Sequence, residues 1–222
     1  MKLWERIIET RIRRETRVTV NQFGFMTGRS TTKAIHILRR LMKKYREKKR
    51  DFHMVFIYLE KAYDSVPCNL IWDNLEKRGV LERYTDLIKD MYDRTVTSVR
   101  APVRDTGAFP VGVGLHQGSA LSPFLFAVVL DELSKSIHEI VSWCMLFADD
   151  IVLVAESKYS LNEKLEGWRA TLEEKGLRIG RSKTKCMYCG FSSARNDENT
   201  QLTIEGQVIP QETKFEYLGS FV

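Results

Sequence analysis

Apolar residues recur at helical spacing in some stretches of this chain and in unbroken runs in others, and the alternation between the two outlines its elements. From Thr31 onward, Ile35, Leu38, Met42 and Tyr45 fall on one side of a helix while Arg39, Lys43, Arg46 and Arg50 fall on another. That pattern predicts a long amphipathic helix with a basic stripe. A helix on Leu3, Trp4, Ile7 and Ile8 is predicted before it, followed by an Arg-rich turn and a loop, "NQFGFMTGRS", punctuated by Gly24 and Gly28. "DFHMVFIYL" at 51–59 reads as a strand that is apolar on both faces near its end, as in the middle of a covered sheet. Helices are predicted at about 69–77 and 82–94, after a turn at Pro67. "TVTSVRAPV" and "GAFPVGVGL" read as two strands around a polar turn at 104–107. "SALSPFLFAVVLDELSKSIHEI" is a mostly buried helix in which Pro123 fits only the first turn.

In the second half, "WCMLFADDIVLVAES" sets apolar strands on either side of Asp149 and Asp150, a hairpin with acids at its tip. A helix at about 158–175 ends near Gly176. Short strands follow in "TKCMYCG", "QLTIEG" and "KFEYLGSFV", with a polar loop, "SSARNDENT", among them. Neither an internal repeat nor a low-complexity linker interrupts the pattern.

A length of 222 residues with 43% hydrophobic content supports one good core, or one large domain and part of a second. The longest apolar run, at 119–130, is too short to span a bilayer, and the charged start lacks the apolar stretch of a signal peptide. No membrane association is expected, and the location implied is intracellular, nucleus or cytoplasm. Four cysteines (Cys68, Cys144, Cys186, Cys189) are too few for a disulfide scaffold of this length and fit a reducing compartment. Net charge is 35 − 29 = +6, and residues 29–50 hold ten Lys or Arg against one acid, Glu47. Such a local field favours a polyanion, although a solvated helix face is the plain alternative.

Two adjacent carboxylates held by apolar strands cannot both stay ionised in a dry site without a compensating cation. Mg²⁺ takes such oxygen ligands together with phosphate oxygens, whereas an isolated "ADD" is as readily a solvent-exposed turn. The context of the acids narrows the choice. "FADDIVLV", preceded by "GLHQGSALSPFLF" and, earlier, by an aromatic strand running into "LEKAYDSVP", resembles the reverse transcriptase domain of non-LTR (LINE-type) retrotransposons over nearly the whole chain.

The resemblance implies an α+β fold: a right-hand polymerase palm, an antiparallel sheet backed by helices, at 51–222. It implies partial fingers at 1–50, since relatives carry further fingers sequence and an endonuclease domain upstream, and a missing thumb, since the chain stops just after a primer-grip-like hairpin. It implies an RNA-directed DNA polymerase that acts on an RNA template, a DNA primer and dNTPs with Mg²⁺. Asp149 and Asp150 would be metal-binding catalytic carboxylates. Tyr63 would be the side chain that crowds the sugar of the incoming nucleotide, unless it is only a core aromatic. Gln117 and Gly118 would cup that nucleotide, in a segment that continues through Ser122 and Pro123 toward the template. Lys183 would lie near the triphosphate, or "RSKTK" is simply a solvated turn. Tyr217, Leu218 and Gly219 would form a primer-grip hairpin, and Arg29 would be a fingers residue near the template.

One position departs from the family pattern. The palm strand normally ends in an aspartate five residues ahead of the sugar-gating aromatic, and that position here is Tyr58. Nucleotidyl transfer by two metal ions ~3.5–4 Å apart needs carboxylates from two strands. A phenol with an unperturbed pKa near ~10 is a poor ligand for a hard cation. The expectation is a copy with weakened Mg²⁺ binding that is inactive or strongly impaired, a loss on the order of ~4 kcal/mol by analogy with other catalytic-group deletions. Glu60 and Asp64 lie close enough in sequence to be considered as substitutes. The alternative function is a non-catalytic nucleic-acid-binding module that uses the basic segment from Arg29 to residue 50. Cys186 and Cys189 form a CxxC with no second pair, and are expected to be ordinary strand cysteines. His116 is expected to support the backbone of the nucleotide-cupping segment.

Overall fold

The computed structural model describes residues 2–93, 95–102, 104–138, 143–192 and 201–222. In chain order the elements are α1 (Lys2–Glu15), α2 (Thr31–Glu47), β1 (Phe52–Glu60), α3 (Ala62–Ser65), α4 (Cys68–Lys77), α5 (Glu82–Tyr92), β2 (Val96–Thr97), β3 (Phe109–Pro110), α6 (Ser122–His138), β4 (Cys144–Phe147) and β5 (Asp150–Ala155). They continue with α7 (Lys158–Glu174), β6 (Arg178–Ile179), β7 (Lys185–Cys189), β8 (Thr203–Ile204), β9 (Gln207–Val208), β10 (Gln211–Glu212), β11 (Glu216–Tyr217) and β12 (Ser220–Phe221). This is the expected α+β class with an antiparallel-rich sheet. The polar loop expected after residue 191 lies mostly outside the described residues, as does the end of the helix predicted to run to 140.

The chain forms two compact units, one from Met1–Val18 and Lys61–Val129, the other from Thr19–Glu60 and Leu130–Val222. Compactness therefore divides the chain elsewhere than at residue 50: the loop and helix of residues 19–50 belong with the sheet.

The sheet lies wholly in the second unit, in the order β10-β7-β1-β5-β4, with β6 also pairing β1. All its pairs are antiparallel except β10 with β7. β1 is flanked on both edges, which explains its unbroken apolar run. Its residues Phe52, Met54 and Phe56 join Val152, Val154 and Met187 to bury Ala34 and Leu38 of α2 together with Tyr217. The alternate residues Val55, Ile57 and Leu59 are equally buried, and α7 packs against β1, β5 and β6 through the buried Leu161, Leu165, Trp168 and Leu172. At the sheet margin, Asp51 accepts the backbone N–H groups of Phe191 and Ser192, the Ser192 hydroxyl and the Tyr188 hydroxyl. Burial alone would push its carboxyl up, but these four donors bring it down to about 2.

Two expectations need correction. The inner side of α1 is Ile8 and Ile12 with the buried Glu5, whose carboxylate accepts the Ala120 N–H at 2.6 Å; Leu3, Trp4 and Ile7 face solvent. The strands expected at 95–103 and 107–115 appear only as the two-residue β2 and β3, both exposed; residue 103 lies outside the described residues, and Leu115 is buried without being part of a strand. The CxxC reading holds: all four cysteines are free, and three residues apart on β7 put Cys186 and Cys189 on opposite faces. Among the described residues no helix is long and apolar enough to cross a membrane.

Candidate active site

The acids sit where the pattern put them, at the tip of a hairpin: Asp149 in its two-residue turn and Asp150 as the first residue of β5. β4 and β5 pair in register from Cys144↔Leu153 to Phe147↔Asp150, leaving Ala148 and Asp149 as the loop. Ala148 has φ +55°, a positive value of the kind that tight hairpin turns require, at a cost of about 1–2 kcal/mol for a residue with a Cβ. That strained turn is held from below by the loop before α2. The Leu146 carbonyl accepts the N–H groups of Phe23 (2.7 Å) and Gly24 (3.3 Å), and the Leu146 N–H donates to Asn21 O at 2.9 Å. Gly24 is glycine for a packing reason: a Cβ there would lie 2.2 Å from the backbone nitrogen of Ala148.

Arg29 organises the same loop. Its Nη1 donates to the carbonyls of Val20 at 2.6 Å, Thr19 at 3.3 Å and Gln22, and its guanidinium stands over the Phe23 ring. Those donors are spent within the chain, so the structure gives Arg29 a loop-bracing position.

Directly across the sheet from Asp150 is Tyr58, its register partner on β1, and the Leu59 N–H donates to Asp149 O at 3.2 Å. Where the resemblance calls for a carboxylate facing the hairpin, β1 brings a phenol ring. Lys183 lies with its ammonium 4.2 Å from the centre of that ring. Beneath the ring, the Gly180 N–H donates to Tyr58 O at 2.7 Å, and a Cβ on Gly180 would come within 2.9 Å of Tyr58 Cδ1 and 3.1 Å of Glu60 Cγ. Buried Thr184 completes the cradle, donating its hydroxyl to Gly180 O (2.9 Å) and accepting the Tyr58 N–H (3.4 Å). Gly180 and Thr184 escaped the sequence reading, although a glycine two residues before "SKTK" was a signal that something approaches closely there.

Asp150 is half-buried, and burial first, then Asp149, push its carboxyl up to about 6. A divalent cation between the two acids would relieve that repulsion. The donor set stops at two, however: among the described residues no third His, Cys, Asp or Glu gathers with them into a metal-holding group.

Tyr217 closes this side of the sheet. Leu218 (φ +50°) and Gly219 (φ +76°) supply the two left-handed residues of a tight turn between β11 and β12. Phe215 stacks on Phe56 at 4.3 Å, and the Tyr217 ring lies 5.5 Å from Phe56. The Tyr217 hydroxyl is buried with no hydrogen-bond partner among the described residues, and burial, with Asp150 as a further contribution, raises its phenol.

The other expected nucleotide contacts belong to the first unit, where they form a framework of their own. Tyr63 stacks on Phe126 at 4.8 Å and its carbonyl accepts the Leu115 N–H at 2.7 Å. Gln117 is exposed and donates to Asp64 Oδ1 at 2.7 Å, while Gly118 adopts φ +80° in the turn. His116 stacks on Tyr92 at 4.0 Å, and its backbone N–H donates to the Tyr92 hydroxyl, which also lies 3.5 Å from buried Ser122. Burial holds the imidazole below its usual range. Pro123 occupies the first turn of α6.

Known proteins match along the full length. The family model for reverse transcriptase (RNA-dependent DNA polymerase) covers residues 1–222. Among curated relatives, the Pol polyprotein of the type-1 retrotransposable element R2 of Nasonia vitripennis is 26% identical over 187 residues, 81% of this chain and 18% of that protein. The probable RNA-directed DNA polymerase from transposon BS of Drosophila melanogaster is 28% identical over 235 residues, 98% of this chain and 26% of that protein. The chain thus spans roughly a fifth to a third of the length of the first curated relatives it matches. Among solved structures, apo telomerase from Candida tropicalis truncated of its C-terminal domain superposes with a TM-score of 0.63 at 12% identity, over 90% of this chain and 41% of that one. Telomerase from Candida albicans in complex with a fragment of telomeric RNA gives 0.64 at 10%, over 86% and 35%. At those identities the likeness speaks for the fold alone.

Proposed function

Since the chain belongs to the reverse transcriptase family, in its non-LTR retrotransposon branch, we propose that it is an RNA-directed DNA polymerase domain by descent whose nucleotidyl transfer is lost or strongly impaired. One observation supports the loss: Tyr58 is the register partner of Asp150. In this reading Asp149 and Asp150 would hold a single divalent cation, which when bound supplies charge compensation for phosphate oxygens. With no carboxylate at position 58 to share a second ion, the centre that would activate the primer 3′-hydroxyl and steady the pyrophosphate is incomplete. Against a substitute stand the exposure of Glu60 at the end of β1, opposite Arg178 in register, and the hydrogen bond that Asp64 accepts from Gln117. The remaining roles follow from the family: Tyr63, Gln117 and Gly118 toward the nucleotide, Ser122 and Pro123 toward the template, and residues 217–219 toward the primer. Residues 1–50 correspond to fingers and 51–222 to palm.

The experiment is primer extension on an RNA template with Mg²⁺ and dNTPs, comparing the chain with Tyr58→Asp, alongside Mn²⁺ titration followed by electron paramagnetic resonance. Restoring the carboxylate should raise the number of bound ions and the extension rate by a hundredfold or more. Extension by the unaltered chain within tenfold of Tyr58→Asp, or identical ion binding by the two, overturns the proposal.

A second reading, a non-catalytic nucleic-acid-binding module, is favoured by the outer face of α2, where Arg39, Arg40, Lys43, Lys44 and Arg46 are all exposed. It calls for salt-dependent binding of RNA that does not require a divalent ion.

A further inference from the structure

Asp150 begins β5, and at the other end of the strand, about 17 Å away at ~3.3 Å per residue, lies a cavity of about 650 Å³ that the polymerase reading does not use. It opens among the last turns of α2, the end of β5 and the first turns of α7, all within the second unit. Its lining is basic. Lys44 and Lys48 project from exposed positions on α2 and its cap, with no acidic partner among the described residues. Lys164 lines it from α7, 6% exposed, with its ammonium donating to Val154 O at 3.2 Å. The acid in the lining, Glu156, is already neutralised by an ion pair with Arg50 and by the Tyr45 hydroxyl at 3.1 Å. Three lysines therefore line a space whose acid, Glu156, is already engaged, a concentration of positive charge that favours an anion. Burial depresses the Lys164 ammonium.

The lining is also aromatic at one edge. Half-buried Trp143 borders this cavity and, with Leu41 and Lys44, the adjoining groove of about 440 Å³ along α2. A flat indole beside lysines, in a trough that continues along a basic helix, combines base stacking with backbone neutralisation, the two elements of single-strand recognition. We infer that this trough is a second nucleic-acid seat, at the far end of β5 from the acids, taking a few nucleotides of single-stranded RNA or DNA with phosphates on Lys44, Lys48 and Lys164 and a base against Trp143. The inference rests on the nucleic-acid-binding reading above and gives it a location.

The test measures fluorescence anisotropy of a labelled ten-nucleotide oligo(U) in EDTA, over a series of salt concentrations. Each variant is first checked by thermal melting. Lys44→Gln/Lys48→Gln should weaken binding at least tenfold and flatten the plot of log affinity against log salt by about 1.4, that is ~0.7 for each lost phosphate contact on a single strand. Trp143→Leu should weaken it about fivefold or more at unchanged slope. Lys33→Gln/Lys49→Gln, the same charge change at the start of and just beyond the same helix but outside the lining of both the cavity and the adjoining groove, should change the slope by less than half as much. Equal loss in the two lysine pairs overturns the location while leaving nucleic-acid binding intact. Displacement of the oligonucleotide by ATP at equal affinity overturns the strand in favour of a free nucleotide. Absence of binding by the unaltered chain overturns both the seat and the reading it rests on.

Discussion

Gly24→Ala separates the support of the acidic hairpin from its chemistry. The added Cβ would lie 2.2 Å from the Ala148 nitrogen and 3.0 Å from the Phe147 carbonyl carbon, both backbone atoms that no rotamer change can move aside. Relief requires the loop and the hairpin to part, which breaks or stretches the two bonds received by Leu146 O and the one from the Leu146 N–H to Asn21 O. At ~0.5–1.5 kcal/mol net for each backbone hydrogen bond, the loss is about 3 kcal/mol. With a urea dependence of ~2 kcal/mol/M, the midpoint should fall by about 1.5 M at unchanged slope. Gly28→Ala is the control, because Gly28 has φ +76° and open space where its Cβ would be. It meets only the conformational cost, about 1 kcal/mol or roughly 0.5 M. Equal midpoints for the two variants, by tryptophan fluorescence in urea, would refute the argument that the loop is jammed against the turn.

Two further outcomes follow from the same unit. Asp51→Asn should destabilise the chain at pH 7 by urea titration, because the carboxyl held at about 2 folds more favourably ionised than its unfolded value of ~3.9 allows. That advantage is present above about pH 4 and is lost as pH falls through about 2, so the gap between the two proteins should close over that window; a gap constant from pH 7 to pH 2 contradicts the assignment. Tyr217→Phe deletes a buried hydroxyl with no partner among the described residues and should leave stability unchanged or raise it by about 1 kcal/mol. A loss of ~1 kcal/mol or more in thermal melting would mean the hydroxyl is bonded.

What was legible in the sequence divides along physical lines. β1, β4, β5 and α7 were readable because each is either apolar on both faces or strictly periodic, and burial in a sheet demands that pattern. The hairpin was readable because two acids cannot lie inside an apolar strand and must mark its end. The buried side of α1 was not readable: Leu3, Trp4 and Ile7 fit a helix stripe as well as Ile8 and Ile12 do, and the decision falls to Glu5, whose buried carboxylate holds a backbone N–H far away in sequence. β6 and β10 were missed because two-residue strands have no periodicity to detect. The placement of Arg29 near the template rests on the resemblance alone, and its contacts with the carbonyls of Thr19, Val20 and Gln22 depend on how residues 19–22 curl, which no spacing encodes.

Tyr58 shows why a family can be clearer than an activity. Folding asks little of position 58: a side chain that lies over Gly180 and lets the strand keep its bonds to Gly180 and Thr184. A tyrosine meets that demand and gains a lysine ammonium over its ring, worth ~0.5–1 kcal/mol at an exposed site. An aspartate in its place would put a third carboxylate opposite Asp150, whose own carboxyl is already raised to about 6 by burial and by Asp149. Without bound cations the acid is therefore the less favourable residue for the fold, and on the proposed reading only the chemistry would require it. If selection for catalysis lapsed, stability would favour the replacement. The sheet, the loop beneath the hairpin and the aromatic packing around Phe56 would then persist around a site short of one ligand.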